Sequence, residues 1–158
     1  LNKISVNVEG TDWYVVGEDI DSNPGAGTPS WRKGNNTSWD SIGGSNSVSG
    51  DNYSVGLTVL QNVWVAGENG IMFSPDLGTN WQPSYDQSEI RDIHMIDMSG
   101  TPIGWAVGRE GVILKYDTQW NEQDTHSTDL YGVYFINDSD GAAVGASGSI
   151  LITNDGGD

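Results

Sequence analysis

The sequence has no cysteine, so it holds no disulfide, thiolate nucleophile or thiolate metal site, and the redox compartment cannot be read from it. Basic residues are also scarce. Six Lys and Arg stand against 22 Asp and Glu, a formal net charge of −16. A phosphate-binding surface needs the opposite sign, so nucleic acid and anionic membrane are poor partners. No apolar run approaches the ~20 residues of a membrane-spanning helix, so no membrane insertion is expected. No 3.6-residue periodicity persists beyond two turns, which argues against helices. Neither an initiator Met nor a signal peptide stands at Leu1. A secreted chain that has lost its leader would begin this way, and so would a fragment of a longer one.

What is present fits an all-β protein. There are 22 Gly and seven Trp, and the 158 residues suit one domain with a real core. The chain is organised around residues 64–81, WVAGENGIMFSPDLGTNW. Trp64-Val65-Ala66 and Ile71-Met72-Phe73 are short apolar runs. Gly67-Glu68-Asn69-Gly70 between them is turn chemistry, because Gly and Asn accept positive φ. In the second turn Asp76 can fold back on backbone N–H groups, Gly78 can take the left-handed conformation, and Trp81 can pack beneath.

The stretch recurs. Gly108 sits in GWAVGREGVILKYDTQW, Gly145 in GAAVGASGSILITNDGG, and Gly17 in the weaker copy DWYVVGEDI. These glycines are 50, 41 and 37 residues apart. A period near forty, with short strands and Gly turns, predicts β-propeller blades. One small sheet cannot bury both faces alone, so neighbours must stack on it.

SPDLGTNW resembles the S/T-x-D-x-G-x-x-W turn of the Asp-box, the bacterial neuraminidase repeat. GWAVGREGVIL and GAAVGASGSILITNDGG are closer to the repeats of photosystem II assembly factor-like propellers. The resemblance covers most of residues 53–158 and implies a β-propeller. It implies structural Asp-box roles for Ser74, Asp76, Gly78 and Trp81, and for Thr153 and Asp155. Two repeats depart from the pattern. Before Trp39 stands GNNTS, with no Asp, and Asp117 lies only three residues before Trp120.

About four blades are expected, over roughly 4–52, 53–88, 89–127 and 128–158. Innermost strands are predicted at Ile4–Val8, Tyr53–Leu57, Ile93–Ile96 and Gly132–Phe135. Second strands follow at 13–16, 63–66, 104–107 and 142–144, and third strands near 30–33, 71–74, 112–116 and 149–153. Outer strands should begin at Trp39, Trp81 and Trp120. The fourth repeat stops inside its turn and lacks that strand. A partial or incompletely closed propeller with an exposed edge is therefore expected, completed by chain beyond Asp158 or by a strand from another subunit.

Residues 21–52 are rich in Gly, Ser and Asn and read as loops inserted around Trp31-Arg32-Lys33, either binding loops or tolerated surface insertions. Trp64, Trp81, Trp105 and Trp120 recur at repeat spacing and read as core between blades. Trp31 and Trp39 lie in or beside the insertions and are candidates for exposure.

Calcium is the one candidate cofactor. Asp19, Asp21 and Asn23 place oxygen side chains at alternate positions, as an EF-like loop does, but Pro24 stands where Gly is wanted and no Glu closes the loop. Asp138-Ser139-Asp140-Gly141 keeps the later part of such a loop without its first ligand. Glycosylation sequons occur at Asn35, Asn36, Asn52 and Asn137, which gives mild support to a secreted chain and surface positions.

No catalytic constellation is visible. A sialidase-type site needs an arginine cluster and a Tyr/Glu pair, yet Arg32, Arg91 and Arg109 fall at unrelated repeat positions. His94 and His126 have no metal or triad context. The expectation is a non-catalytic, extracellular or cell-surface module for recognition or assembly, with protein or glycan partners. Self-assembly by strand donation, as in a surface fibre or array, fits the open edge. The alternative is a fragment of a sialidase- or xyloglucanase-like hydrolase with its catalytic residues elsewhere.

Overall fold

The computed structural model describes residues 3–6, 13–17, 31–35, 38–41, 50–58, 62–98, 100–123 and 126–158. Four small antiparallel sheets follow one another along the chain. Blade one holds β1 (Lys3–Val6), β2 (Trp13–Val16), β3 (Trp31–Asn35) and β4 (Ser38–Ser41). Blade two holds β5 (Asn52–Leu57), β6 (Val63–Gly67), β7 (Gly70–Ser74) and β8 (Gln82–Tyr85). Blade three holds β9 (Ile90–Met98), β10 (Thr101–Gly108), β11 (Ile113–Tyr116) and β12 (Trp120–Glu122). Blade four has three strands among the described residues: β13 (Leu130–Phe135), β14 (Gly141–Gly145) and β15 (Ile150–Thr153).

Each sheet is a plain meander, so strand order in space follows strand order in sequence. The second strands of blades two and three, β6 and β10, lie between two blades and are covered on both faces. That is why Val63–Gly67, buried throughout, reads as a continuous apolar run and not as an alternation. Three cores result. Tyr14, Val16, Val55, Val65 and Trp81 fill the space between blades one and two. Trp64, Ile71, Ile93, Leu114 and Trp120 fill the next. Trp105, Val107, Leu130, Val133 and Phe135 fill the third, with Trp105 stacked flat on Phe135 at 3.5 Å between centroids.

Strand register sets the repeat equivalence. Trp64, Trp105 and Ala142 share one position, as do Ile71, Ile113 and Ile150. These side chains face the following blade. Ile71 is fully buried there, whereas Ile150 is 67% exposed and Ile152, two residues on, is 82% exposed. With Tyr134, Ile136 and Val144 they leave an apolar face bare on blade four among the described residues.

The recurring glycines have a different reason from the one the turn chemistry suggested. Only Gly70 has positive φ in the 67–70 turn, at 93°. Gly108 and Gly145 are extended, at φ −165° and −158°. What Gly67, Gly108 and Gly145 supply is clearance. A Cβ on them would sit 2.2, 2.0 and 2.3 Å from the carbonyl oxygens of Asp51, Glu89 and Asp129, which is sterically forbidden.

Candidate binding face at the start of the inner strands

That close approach belongs to a bulge that opens three inner strands. Asn52 pairs with Gly67 and Ser54 with Ala66, leaving Tyr53 as an extra residue. Ile90 and Asp92 bracket Arg91 in the same way, and Leu130 and Gly132 bracket Tyr131. A bulge re-aims its extra side chain away from the ladder. Tyr53, Arg91 and Tyr131 therefore occupy one position on consecutive strands and meet. The Arg91 guanidinium carbon lies 5.3 Å from the Tyr53 ring centroid and 5.8 Å from that of Tyr131. Both distances are within cation–π range. Arg91 Nε also pairs with Glu89 at 2.8 Å.

Carboxylates rim this cluster. Asp51, Glu89 and Asp129 each stand two residues before the bulged side chain. Their carbonyls accept N–H bonds from Glu68, Arg109 and Ala146 of the facing turns, so those turns lie on the same face. Asp129 also accepts from the Glu110 N–H through its carboxylate, at 2.9 Å. Five carboxylates, counting Glu68 and Glu110, thus stand at this end of the blades with two arginines, Arg91 and Arg109. Burial raises the Tyr53 pKa above its usual value, and the charges of Glu89, Asp51 and Glu68 add to this against the opposing charge of Arg91.

One layer below, Asp92 ties four blades together. Its Oδ1 accepts from Lys3 Nζ of blade one at 2.6 Å and from Ser54 Oγ of blade two at 2.7 Å. Its Oδ2 accepts the Val133 N–H of blade four at 3.0 Å. Ser54 Oγ in turn accepts the Ile93 N–H at 3.2 Å. Lys3, Ser54, Asp92 and Gly132 share one repeat position by register. Below that, half-buried His94 meets the Tyr134 ring edge-on at 4.5 Å. Burial holds its pKa below the usual value, and the Lys3 charge adds to this. Asp92 and a hydrogen bond with the Phe135 backbone oppose it.

Sequence reasoning missed the Tyr53–Arg91–Tyr131 cluster because it set Tyr53 level with Ile93 and Gly132. The register puts it level with Arg91 and Tyr131. β9 and β10 extend further than their counterparts, so a fixed offset from the repeat glycine slips there. The pattern that could have found the cluster is an acid two residues before an aromatic or Arg.

The residues singled out from sequence lie elsewhere. Ser74 Oγ donates to Asp76 at 2.8 Å and accepts the Gly78 N–H at 2.8 Å. Asp76 accepts the N–H groups of Thr79 and Asn80, and Trp81 Nε1 donates to the Gly78 carbonyl at 3.1 Å. These bonds to the Asp76 carboxylate, chiefly those from Asn80, lower its pKa. Thr153 and Asp155 close the blade-four turn in the same manner, with Gly157 N–H as the donor. Asp19, Asp21, Asn23 and Asn36 lie outside the described residues, and for Asn35 only the backbone on β3 is described. Asn52 is not at the surface: it is 1% exposed and donates to the Gly50 carbonyl, so that sequon is closed in the folded chain. Asn137 is half-buried and accepts the N–H groups of Ser139 and Asp140. His126 contacts Thr128. Among the described residues, no group of three His, Asp or Glu is placed to hold a metal.

No protein-family profile matches the chain, and no curated protein matches it by sequence. Solved structures do. YCF48 from Cyanidioschyzon merolae superposes with a TM-score of 0.64 at 17% identity, covering 97% of this chain and 50% of that one. YCF48 bound to D1 peptide superposes with a TM-score of 0.57 at 19% identity, covering 93% and 47%. The chain thus spans about half the length of these structures. At such identities the likeness establishes a fold: this chain is a run of β-propeller blades.

Proposed function

We propose that this chain is a non-catalytic recognition or assembly module, and that it captures extended segments of partner proteins across the face where its inner strands begin. The observation that carries this reading is the bulged trio of Tyr53, Arg91 and Tyr131. Three repeats use the same backbone device to turn large side chains toward one spot. Tyr131 is half-exposed, and aromatic and Arg side chains are the types that dominate protein interfaces. The partner segment is cationic. Arg91 is neutralised by Glu89, and the surrounding carboxylates outnumber the arginines on a chain of net charge −16. Such a field speeds the approach of positive ligands and weakens with salt. The solved complex of YCF48 with a D1 peptide supports peptide capture as a use of this scaffold. Secretion or surface display belongs to the same proposal and is supported by the acidic charge.

The test uses two synthetic peptides, one alternating lysine and alanine and the other glutamate and alanine. The lysine peptide should shift the NMR signals of Tyr53, Arg91 and Tyr131 and should bind more weakly as salt rises. Tyr131→Ala should weaken it roughly tenfold while leaving the melting temperature within a few degrees. Equal shifts from both peptides, or none at these residues, would overturn the reading.

A further inference from the structure

A polar groove of about 360 Å³ runs along the seam between blades two and three. Blade two contributes Tyr85, at the end of β8, and part of the link to β9. Blade three contributes Arg109, Glu110 and Val112 from the turn between β10 and β11, and Glu122 from β12. This turn stands on the same face as the bulged trio. Glu89 joins the two places. Its carbonyl accepts the Arg109 N–H at 3.0 Å, and its carboxylate pairs with Arg91 at 2.8 Å.

The walls of the groove are fixed. The Glu110 N–H donates to the Asp129 carboxylate at 2.9 Å, and Glu110 is held in the left-handed region at φ 58°. A non-glycine residue stays there only where its surroundings impose it. Tyr85 packs against the core between blades two and three. The charge of the groove is lopsided. Among the described residues its only cation is Arg109, which lies 3.7 Å from Glu110. Glu122 has no ion-pair partner among the described residues. Burial raises the Tyr85 pKa above its usual value, and the charges of Glu122 and Asp86 add to this. Both carboxylates therefore act on the phenol that lines the groove.

We propose that this groove takes the side chain of a lysine carried by the segment that crosses the Tyr53–Arg91–Tyr131 face. The inference rests on that reading of the face and names the residue the face selects. The methylene stem lies along Val112 and Tyr85, and the ammonium head goes to Glu122 and Glu110. Lysine divides itself in this way between apolar and charged surroundings. It suits the groove better than arginine does. An ammonium donates in three directions and is shared by carboxylates on separate elements, whereas a guanidinium favours one carboxylate in its own plane.

The test uses the alternating lysine–alanine peptide and its arginine–alanine counterpart. The lysine peptide should shift the Tyr85 ring and Val112 methyl signals together with those of Tyr53, Arg91 and Tyr131. It should also bind more tightly than the arginine peptide. Glu122→Gln should weaken the lysine peptide roughly fivefold, the upper range for one exposed ion pair, and change the arginine peptide less. Glu122 is exposed on β12, so this variant keeps the fold. The proposal fails if the trio signals shift while those of Tyr85 and Val112 stay still, or if Glu122→Gln leaves the lysine peptide unaffected. It fails equally if the two peptides bind alike. In each of these cases the reading of the face survives without the lysine pocket. Absence of shifts at Tyr53, Arg91 and Tyr131 would instead overturn the reading of the face, and this inference with it.

Discussion

Blades two and three carry the same side chains above two different turns. In blade two, six residues separate Ser74 from Trp81, and the turn supplies two carbonyls to indole or phenol donors. In blade three only Asp117, Thr118 and Gln119 separate Tyr116 from Trp120. The shortened turn has no residue at either carbonyl position. Among the described residues, Trp64 Nε1 and Trp120 Nε1 are buried without a hydrogen-bond partner, and these are the two indoles that such a turn would have served. A buried donor left unmade costs about 1–3 kcal/mol. The shorter surface turn thus leaves two interior indoles without an acceptor, one in its own blade and one in the blade before. The apolar packing is kept: Tyr116 meets Trp64 edge-on at 5.4 Å and lies tilted against Trp120 at 5.2 Å.

The comparison can be broken most forcefully at the tryptophans. Trp81→Ala should cost about 4 kcal/mol, for a buried indole and its hydrogen bond together. Trp120→Ala should cost about 1 kcal/mol less, since no bond is lost. Equal shifts of the denaturant midpoint would mean that the turn carbonyl contributes nothing. A graft sharpens the same point. Replacing Asp117–Gln119 with the sequence of residues 75–80 should stabilise the protein by about 1–2 kcal/mol by giving Trp64 and Trp120 their acceptors. No gain in chemical denaturation would show that the orphaned indoles are not what the short turn costs.

Smaller effects are expected where the ring is kept. Trp105→Phe should cost about 1 kcal/mol more than Trp64→Phe, because only Trp105 has a partner, the Gly156 carbonyl. The smallest is a pH effect away from the turns. His94 is held below its ordinary value by burial and by Lys3, so its neutral form favours the folded state. Stability should be full above about pH 6.5 and fall as pH drops through the folded value. His94→Gln should flatten that part of the melting curve against pH. An unchanged slope would mean that His94 protonates freely in the fold.

The sequence carried the repeat because β-rich blades are local. Each strand and turn lies within about forty residues, and each needs its own apolar runs and glycines. That Ser74 and Asp76 would close a turn over Trp81 was legible for the same reason. Register was less legible, since a longer β9–β10 hairpin and a bulged residue displace every offset counted along the chain. Even the repeat glycines were right in place and wrong in cause. Their need for clearance comes from a carbonyl on the neighbouring inner strand, which no spacing reveals.

What the sequence determined by itself was composition, sign of charge, the blade period and the turn chemistry, all properties of short segments. Tertiary structure decided which side chains meet. Stacking four sheets brought Lys3, Ser54 and the Val133 N–H to one carboxylate at Asp92, though they are separated by up to 89 positions from it. It closed Asn52 inside the fold and gathered Tyr53, Arg91 and Tyr131 on one face. The physical reason is that each contact joins different blades, and sheet stacking fixes it only after every strand has settled its register.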